Sequence, residues 1–220
     1  MTLHGSLRIR SGARSKWKSC GAALVRPDAL HELQADPGST VVLGFIDVES
    51  DLGAALSETI RENVSSVPAT RVSQWRAALG PDLDPIRIEQ WVRKDLLNGR
   101  CPVKIHPGVT RAIKHIRQRL ARGEDFSLKN LAAISGLSPS RFMHVFTQSV
   151  HVPLRPYILW LRLQRSACEL MNGASATEAA HIAGFSDGAH LTRTFKRMLG
   201  TTPRELELRS RMSQGVPIER

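Results

Sequence analysis

Three observations on this 220-residue chain predict an α+β fold with strands at its start and helices throughout its C-terminal half. The first fifty residues read as strands. "SLRIRS" alternates, "CGAALVRPDALHEL" runs apolar and then turns at Pro27-Asp28, and "STVVLGFIDVES" is β-branched between Gly38 and Ser50. From Asp51 the apolar period lengthens, with Leu52, Leu56 and Ile60 at helical spacing. Finally, "SLKNLAAISGL" (127–137) is written again, forty-eight positions later and without a gap, as "SATEAAHIAGF" (175–185).

The elements follow in order. Residues 1–50 form a β-rich region and 51–103 a helical bridge suited to dimerisation. Within the bridge, "PATRVSQWRAALGP" and "DPIRIEQWVRKDLLNG" read as helices, each closed by a Gly, the second opened by Asp84 with Pro85 at its first position. "RCPVKIHPG" (100–108) holds two prolines and a glycine and places a domain boundary between 103 and 104. Residues 104–208 read as helix and turn alone. "HPGVTRAIKHIRQRLARG" puts Val109, Ile113, Ile116 and Leu120 on one face, and Arg111, Lys114, Arg117 and Arg119 mostly on the others. The end, 209–220, has little to bury and is expected to be a flexible tail.

Composition narrows the function classes. A 41% hydrophobic fraction is that of a globular chain, and the longest apolar run, Val41 to Ile46 around Gly44, is too short to span a bilayer. The N-terminus, "MTLHGSLRIRSGARSKW", lacks the apolar stretch of a secretory signal, so a cytoplasmic location and no membrane partner are expected. Three scattered cysteines, Cys20, Cys101 and Cys168, fit neither a disulfide framework nor a zinc cluster; they are expected as buried or half-buried thiols. Charge is uneven. Residues 1–103 carry 13 Lys/Arg against 12 Asp/Glu, whereas residues 104–220 carry 18 against 8. A half-chain this basic faces a polyanion.

The repeated unit has a readable plan. In the first copy Ser127 caps a helix ending at Ile134, Gly136 takes the left-handed turn, Ser138 caps the next helix with Pro139 at its first position, and Phe142 and Phe146 face inward. In the second, Ser175 and Glu178 make a capping box, Ala179, Ala180 and Ala183 admit a close helix crossing, Gly184 turns and Ser186 caps. Leu191 and Phe195 match Phe142 and Phe146, one residue further from the cap. This is a helix-turn-helix, twice. Between the copies Leu154 to Met171 forms a rod of ~27 Å, with Ile158, Leu161, Leu163, Ala167, Leu170 and Met171 as its apolar surface and Trp160 adding bulk. Such a rod holds two reading helices roughly one duplex turn, ~34 Å, apart, so that one chain reaches two successive major grooves of double-stranded DNA.

The outward positions are then the candidate DNA-binding residues. On the first reading helix they are Ser140, Arg141, Met143, His144, Thr147 and Gln148; on the second, Gly188, Ala189, His190, Thr192 and Arg193, with Lys196 and Arg197 placed for phosphates. Arg141 and Arg193 suit paired hydrogen bonds to a guanine edge, and His144 a base or a phosphate. Gly188 and Ala189 admit close backbone approach, and the helix N-termini at Ser138 and Ser186 offer amides to phosphate.

"GLSPSRFMHVF", "PLRPYILWLRLQRSACELMNG" and "AGFSDGAHLTRTFKRMLGTTPREL" closely resemble the AraC/XylS family of bacterial transcription regulators over about residues 105–208. The resemblance implies a seven-helix DNA-binding domain that usually activates transcription by recruiting RNA polymerase. It also implies a closing turn at Thr201, Thr202, Pro203 and Glu205. His151 departs from the pattern, standing where the family typically has Gly. "AALVRPDALHELQAD" with "STVVLGFIDVES" resembles the later strands of cupin-like sensing domains, here shortened, which leaves a small-molecule effector and a homodimer open. His31 falls where metal-binding cupins keep a ligand, but no H-x-H or acidic partner accompanies it, so an ordinary turn histidine and no cofactor are expected. The expected function is that of a sequence-specific regulator, not an enzyme. The alternatives are a cupin-like or cysteine-reactive enzyme addressed to DNA, with Cys20 or Cys101 as nucleophile, and a partner-binding module that reads no DNA sequence.

Overall fold

The computed structural model describes residues 1–67, 69–79, 85–97 and 105–213. The chain divides into two compact units, Met1–Ile105 with Gln148–Val152, and His106–Thr147 with Pro153–Arg220. The layout is α+β, small sheets followed by helices. Gly80, Asp84, Gly99, Cys101 and the expected boundary at 103/104 lie outside the described residues.

In the first unit, strands β1 (Thr2–His4) and β6 (Thr40–Val41) pair antiparallel. Strand β2 (Leu7–Arg10) lies between β3 (Lys18–Cys20) and β5 (Glu32–Ala35), and β4 (Ala22–Val25) pairs β7 (Val64–Val67). The expected alternation in "SLRIRS" is real, since Leu7 and Ile9 are buried and Arg8 and Arg10 only half so. The turn at Pro27-Asp28 also forms, with Asp28 at φ +58°. Two readings of this region are corrected. "STVVLGFIDVES" is a strand only at Thr40–Val41, and Leu43 and Phe45 stand exposed beyond it. A β-branched run becomes strand only where a neighbouring edge takes its backbone hydrogen bonds. Conversely, β7 is the unassuming "VSSV", recruited because β4 offers such an edge, from Ala22↔Val67 to Val25↔Val64.

Three helices complete the unit: α1 (Asp51–Thr59), α2 (Ala69–Leu79) and α3 (Pro85–Trp91), the last running into a π-helical turn, Val92–Leu96. Trp75 of α2 meets Trp91 of α3 edge to face at 4.7 Å, over a core of Ala22, Val67 and Val72. Ala55, Leu56, Val92 and Leu97 form a second small core.

The second unit is helical: α4 (Pro107–Ala121), α5 (Leu128–Ser135), α6 (Pro139–Val150), α7 (Leu154–Met171), α8 (Ala176–Ile182), α9 (Gly188–Leu199) and α10 (Pro203–Ser213). The last helix continues past 208 into the stretch expected to be a flexible tail. Helix α4 buries Val109, Ala112, Ile113 and Ile116 and crosses α5 closely at Gly108, where a Cβ would stand 2.3 Å from the Ser135 carbonyl oxygen. Phe142, Phe146 and Tyr157 pack in turn, tilted at 5.8 Å and then edge to face at 5.3 Å between centroids. Around α7, the buried Leu163 and Leu170 pack with Ala179, Ala180, Ala183, Phe185, Leu191 and Phe195.

Helix α7 is more than the spacer its sequence position suggests. It buries Leu154, Tyr157, Leu161, Leu163, Ser166 and Leu170, with Ile158, Trp160 and Ala167 half-buried; Met171 is exposed, not part of that surface. Its end repeats the end of α4. Gly123 N–H donates to Leu120 O and Glu124 N–H to Arg119 O; Gly173 N–H donates to Leu170 O and Ala174 N–H to Glu169 O. Both glycines are left-handed. The duplicated unit is therefore three helices, α4–α5–α6 and α7–α8–α9. Its offset shrinks from fifty to forty-eight because Gly173 lies two residues nearer Ser175 than Gly123 lies to Ser127.

The exposed position of Cys168 corrects the buried or half-buried expectation, which Cys20 meets, while Cys101 lies outside the described residues. At His151, φ is +59°, the left-handed conformation that the resemblance reserves for Gly. Replacing His151 by Gly is expected to raise the free energy of unfolding by about 0.5–1 kcal/mol, the relieved strain exceeding the added freedom of the unfolded chain. In the core, Phe195→Ala is expected to cost about 3–5 kcal/mol. Urea titration of the full chain checks both.

Candidate nucleic-acid interface

The two turns are built alike. Ser127 Oγ accepts from Asn130 N–H and Ser175 Oγ from Glu178 N–H, each at 3.2 Å. Past the helix, Leu137 N–H donates to Ala132 O at 3.1 Å and Phe185 N–H to Ala180 O at 2.9 Å. Gly136 and Gly184, at φ +74° and +79°, reverse the chain between them and the next helix. In the second copy the capping box is complete, because the Glu178 carboxylate also accepts from the Ser175 N–H at 2.9 Å.

The start of α9 differs from the expectation. Its cap is Asp187, not Ser186: the His190 N–H donates to Asp187 Oδ1 at 2.6 Å, and Ser186 Oγ donates to Oδ2 at 3.0 Å. The shift removes the extra residue between copies, since Leu191 now stands four residues after its cap as Phe142 stands four after Ser138, whose Oγ accepts from Arg141 N–H. It also places a carboxylate over the amides that Ser186 was expected to leave for a phosphate. The bond from His190 and then that from Ser186 hold the Asp187 carboxyl below its usual range.

The outward residues of α6, Ser140, Arg141, Met143, His144, Thr147 and Gln148, are all exposed. On α9, Ala189, Arg193, Lys196 and Arg197 are exposed, while Gly188, His190 and Thr192 are half-buried. The His190 ring meets Phe185 edge to face at 5.3 Å and its Nδ1 lies 3.2 Å from Ser186 Oγ, so it braces the turn. Thr192 Oγ1 donates to Gly188 O at 2.8 Å. His31 Nδ1 lies 2.8 Å from Ala29 O, a local turn contact, and among the described residues no group of three His, Cys, Asp or Glu could hold a metal.

Sequence reasoning missed the arginines that finish the helices. Arg111 of α4 donates through Nε to Ile134 O and through a terminal nitrogen to Ser135 O, satisfying the end of α5. Arg165 of α7 likewise donates to Leu120 O at the end of α4. Nothing in local spacing announces these bonds, since each joins two separate helices.

The family model described as "Helix-turn-helix domain" matches residues 131–209. Those residues are an AraC-type helix-turn-helix domain. Among curated proteins, the Msm operon regulatory protein of Streptococcus mutans is 26% identical over 117 residues, 53% of this chain and 41% of that protein, so the chain spans less than half of that relative's length. Among solved structures, ToxT from Vibrio cholerae strain SCE256, with a bound unsaturated fatty acid, shares the fold of the AraC-type domain and its preceding region. Its TM-score is 0.57, at 12% identity over 99% of this chain and 87% of that one. A transcriptional regulator of Chromobacterium violaceum with an AraC-type DNA-binding domain is 27% identical over 47% of this chain and 92% of its own, at TM-score 0.44. Among the described residues, no helix is long and apolar enough to cross a membrane.

Both hydrogen bonds from Ser175 hold the Glu178 carboxyl below its ordinary 4.5, the backbone bond contributing most. Its stabilisation is therefore complete above that value and is lost as pH falls through the lower, folded one. Glu178→Gln is expected to flatten the fall of the thermal midpoint below about pH 4.5, and Ser175→Ala to lower that midpoint near neutral pH by a few degrees. Circular dichroism melts across pH check both.

Proposed function

We propose that the chain is a sequence-specific, non-enzymatic transcription regulator that places α6 and α9 in successive major grooves of double-stranded DNA. One observation carries the reading: the same cap, turn and helix geometry built twice, each copy presenting an exposed helix with an arginine in its early turns, Arg141 and Arg193. The charge supports it, with 18 Lys/Arg against 8 Asp/Glu in residues 104–220. In this reading Arg141 and Arg193 take guanine edges, and His144, Thr147 and Gln148 contact neighbouring bases or sugar-phosphate. Lys196 and Arg197 neutralise phosphates. Ser140, Met143 and Ala189 line the approach, whereas Gly188, His190 and Thr192 shape the start of α9 more than they read. The protein acts in the cytoplasm, as an activator that recruits RNA polymerase. In its first unit a cleft of about 510 Å³, lined among others by Ser6, Ser19, Cys20, Ser66 and Arg76, offers room for a small-molecule effector.

Hydroxyl-radical footprinting on a selected genomic fragment is expected to protect two patches on one face of the duplex, about ten base pairs apart. Protection of a single groove overturns the reading. Arg141→Ala and Arg193→Ala are each expected to cost about 1–3 kcal/mol at the selected site and far less on random DNA. Fluorescence anisotropy with both duplexes decides, and equal losses on the two remove these arginines as base readers.

A further inference from the structure

Among the described residues of α4–α10, three arginines are half-buried: Arg119, Arg162 and Arg165. Two of them have clear partners. Arg119 donates to Asp125 O and pairs with Glu124, and Arg165 donates to Leu120 O and pairs with Glu169. Arg162 has none among the described residues; the Nε atoms of Arg162 and Arg165 are both buried without an acceptor, and the difference lies in the terminal nitrogens, which Arg165 alone of the two directs at Leu120 O and Glu169. A guanidinium stays charged at any physiological pH, and one that is half-buried with no protein partner for its terminal nitrogens is free to exchange water for an anion there.

The position of that charge is informative. Arg162 leans on the turn of the second copy, where a Cβ built on Gly184 would stand 3.3 Å from Nε and 3.5 Å from Cζ. Gly184 precedes the cap of α9 by three residues, which places the turn within ~11 Å of that helix's start. In the first copy the arginine beside the turn glycine is Arg111, one position out of register with Arg162, and it is engaged by the carbonyls of Ile134 and Ser135. At α9 itself the Asp187 carboxylate already occupies the His190 amide and repels an anion.

We propose that Arg162 is a phosphate-binding residue, its guanidinium held at the second turn to take a DNA backbone phosphate beside the groove that α9 enters. The assignment rests on the DNA-binding reading above. A phosphate can accept from the two terminal nitrogens, in a paired geometry that a guanidinium prefers, while the buried Nε stays out of its reach. It also does for α9 what an uncapped helix N-terminus does elsewhere.

The test is the salt dependence of DNA binding by the full chain carrying Arg162→Met, which keeps the aliphatic stem on Gly184 and removes the charge. Loss of one phosphate contact is expected to lower the slope of log affinity against log salt by about 0.9. Affinity should fall by the same factor on specific and random duplexes, with the unfolding midpoint near that of the parent. Arg162→Lys is expected to keep the parent's slope. An unchanged slope in Arg162→Met overturns the assignment and leaves Arg162 a packing residue; Arg162→Gln gives the same readout should the Met variant not fold. Absence of salt-dependent DNA binding in the parent chain would instead overturn the DNA reading itself.

Discussion

The tight reversal between paired helices is the constraint on which the second unit depends. In each copy an alanine carbonyl accepts the amide of the residue just past a left-handed glycine, Ala132 from Leu137 and Ala180 from Phe185. That bond sets the direction in which the following helix leaves. Small residues at the crossing let the backbones approach, and Gly108 does the same where α4 meets α5. Once the exit direction is set, the inward pairs Phe142/Phe146 and Leu191/Phe195 have one face to bury. The polar side chains between them then have one face to show. The display of Arg141 and Arg193 is a consequence of two glycine turns.

Helix α7 joins the copies by belonging to both. Its Tyr157 closes the aromatic cluster of the first, while Leu163 and Leu170 enter the core of the second. A rod held only at its ends would transmit little; one packed along its length couples the two reading helices mechanically. The same packing occupies three of the 18 Lys/Arg of residues 104–220. Arg111 and Arg165 direct their hydrogens at main-chain carbonyls that end helices, and Arg119 at the Asp125 carbonyl of the loop after α4, rather than at a ligand. Net charge alone therefore overstates how much of this surface is available to a polyanion.

The helical half was readable because its signals are local. Ser127, Ser175 with Glu178, Gly136 and Gly184, and the apolar pairs four apart each act within a single turn, and each takes its expected place. The choice of Asp187 over Ser186 was not readable. Both can cap, and the winner depends on where the core needs Leu191, a demand made from α7 and α8 rather than from the loop. The β-rich start was less legible for the same kind of reason. "LGFI" continues a strand-like run past the edge that β1 offers to Thr40–Val41, whereas "VSSV" has little to recommend it and an edge waiting on β4.

The amino-acid order by itself determined that the chain is α+β, that its second half doubles a helix-turn-helix, and, Gly188, His190 and Thr192 apart, which of the named residues lie exposed on the two reading helices. Only the tertiary structure decided which arginines finish helices and which half-buried one of the second unit has no partner among the described residues. It also showed that His190 braces a turn and that the duplicated unit includes the helix in front. The reason is one of range: capping and periodicity act over three or four residues, whereas acceptors for a guanidinium, edges for a strand and neighbours for a ring come from segments far along the chain.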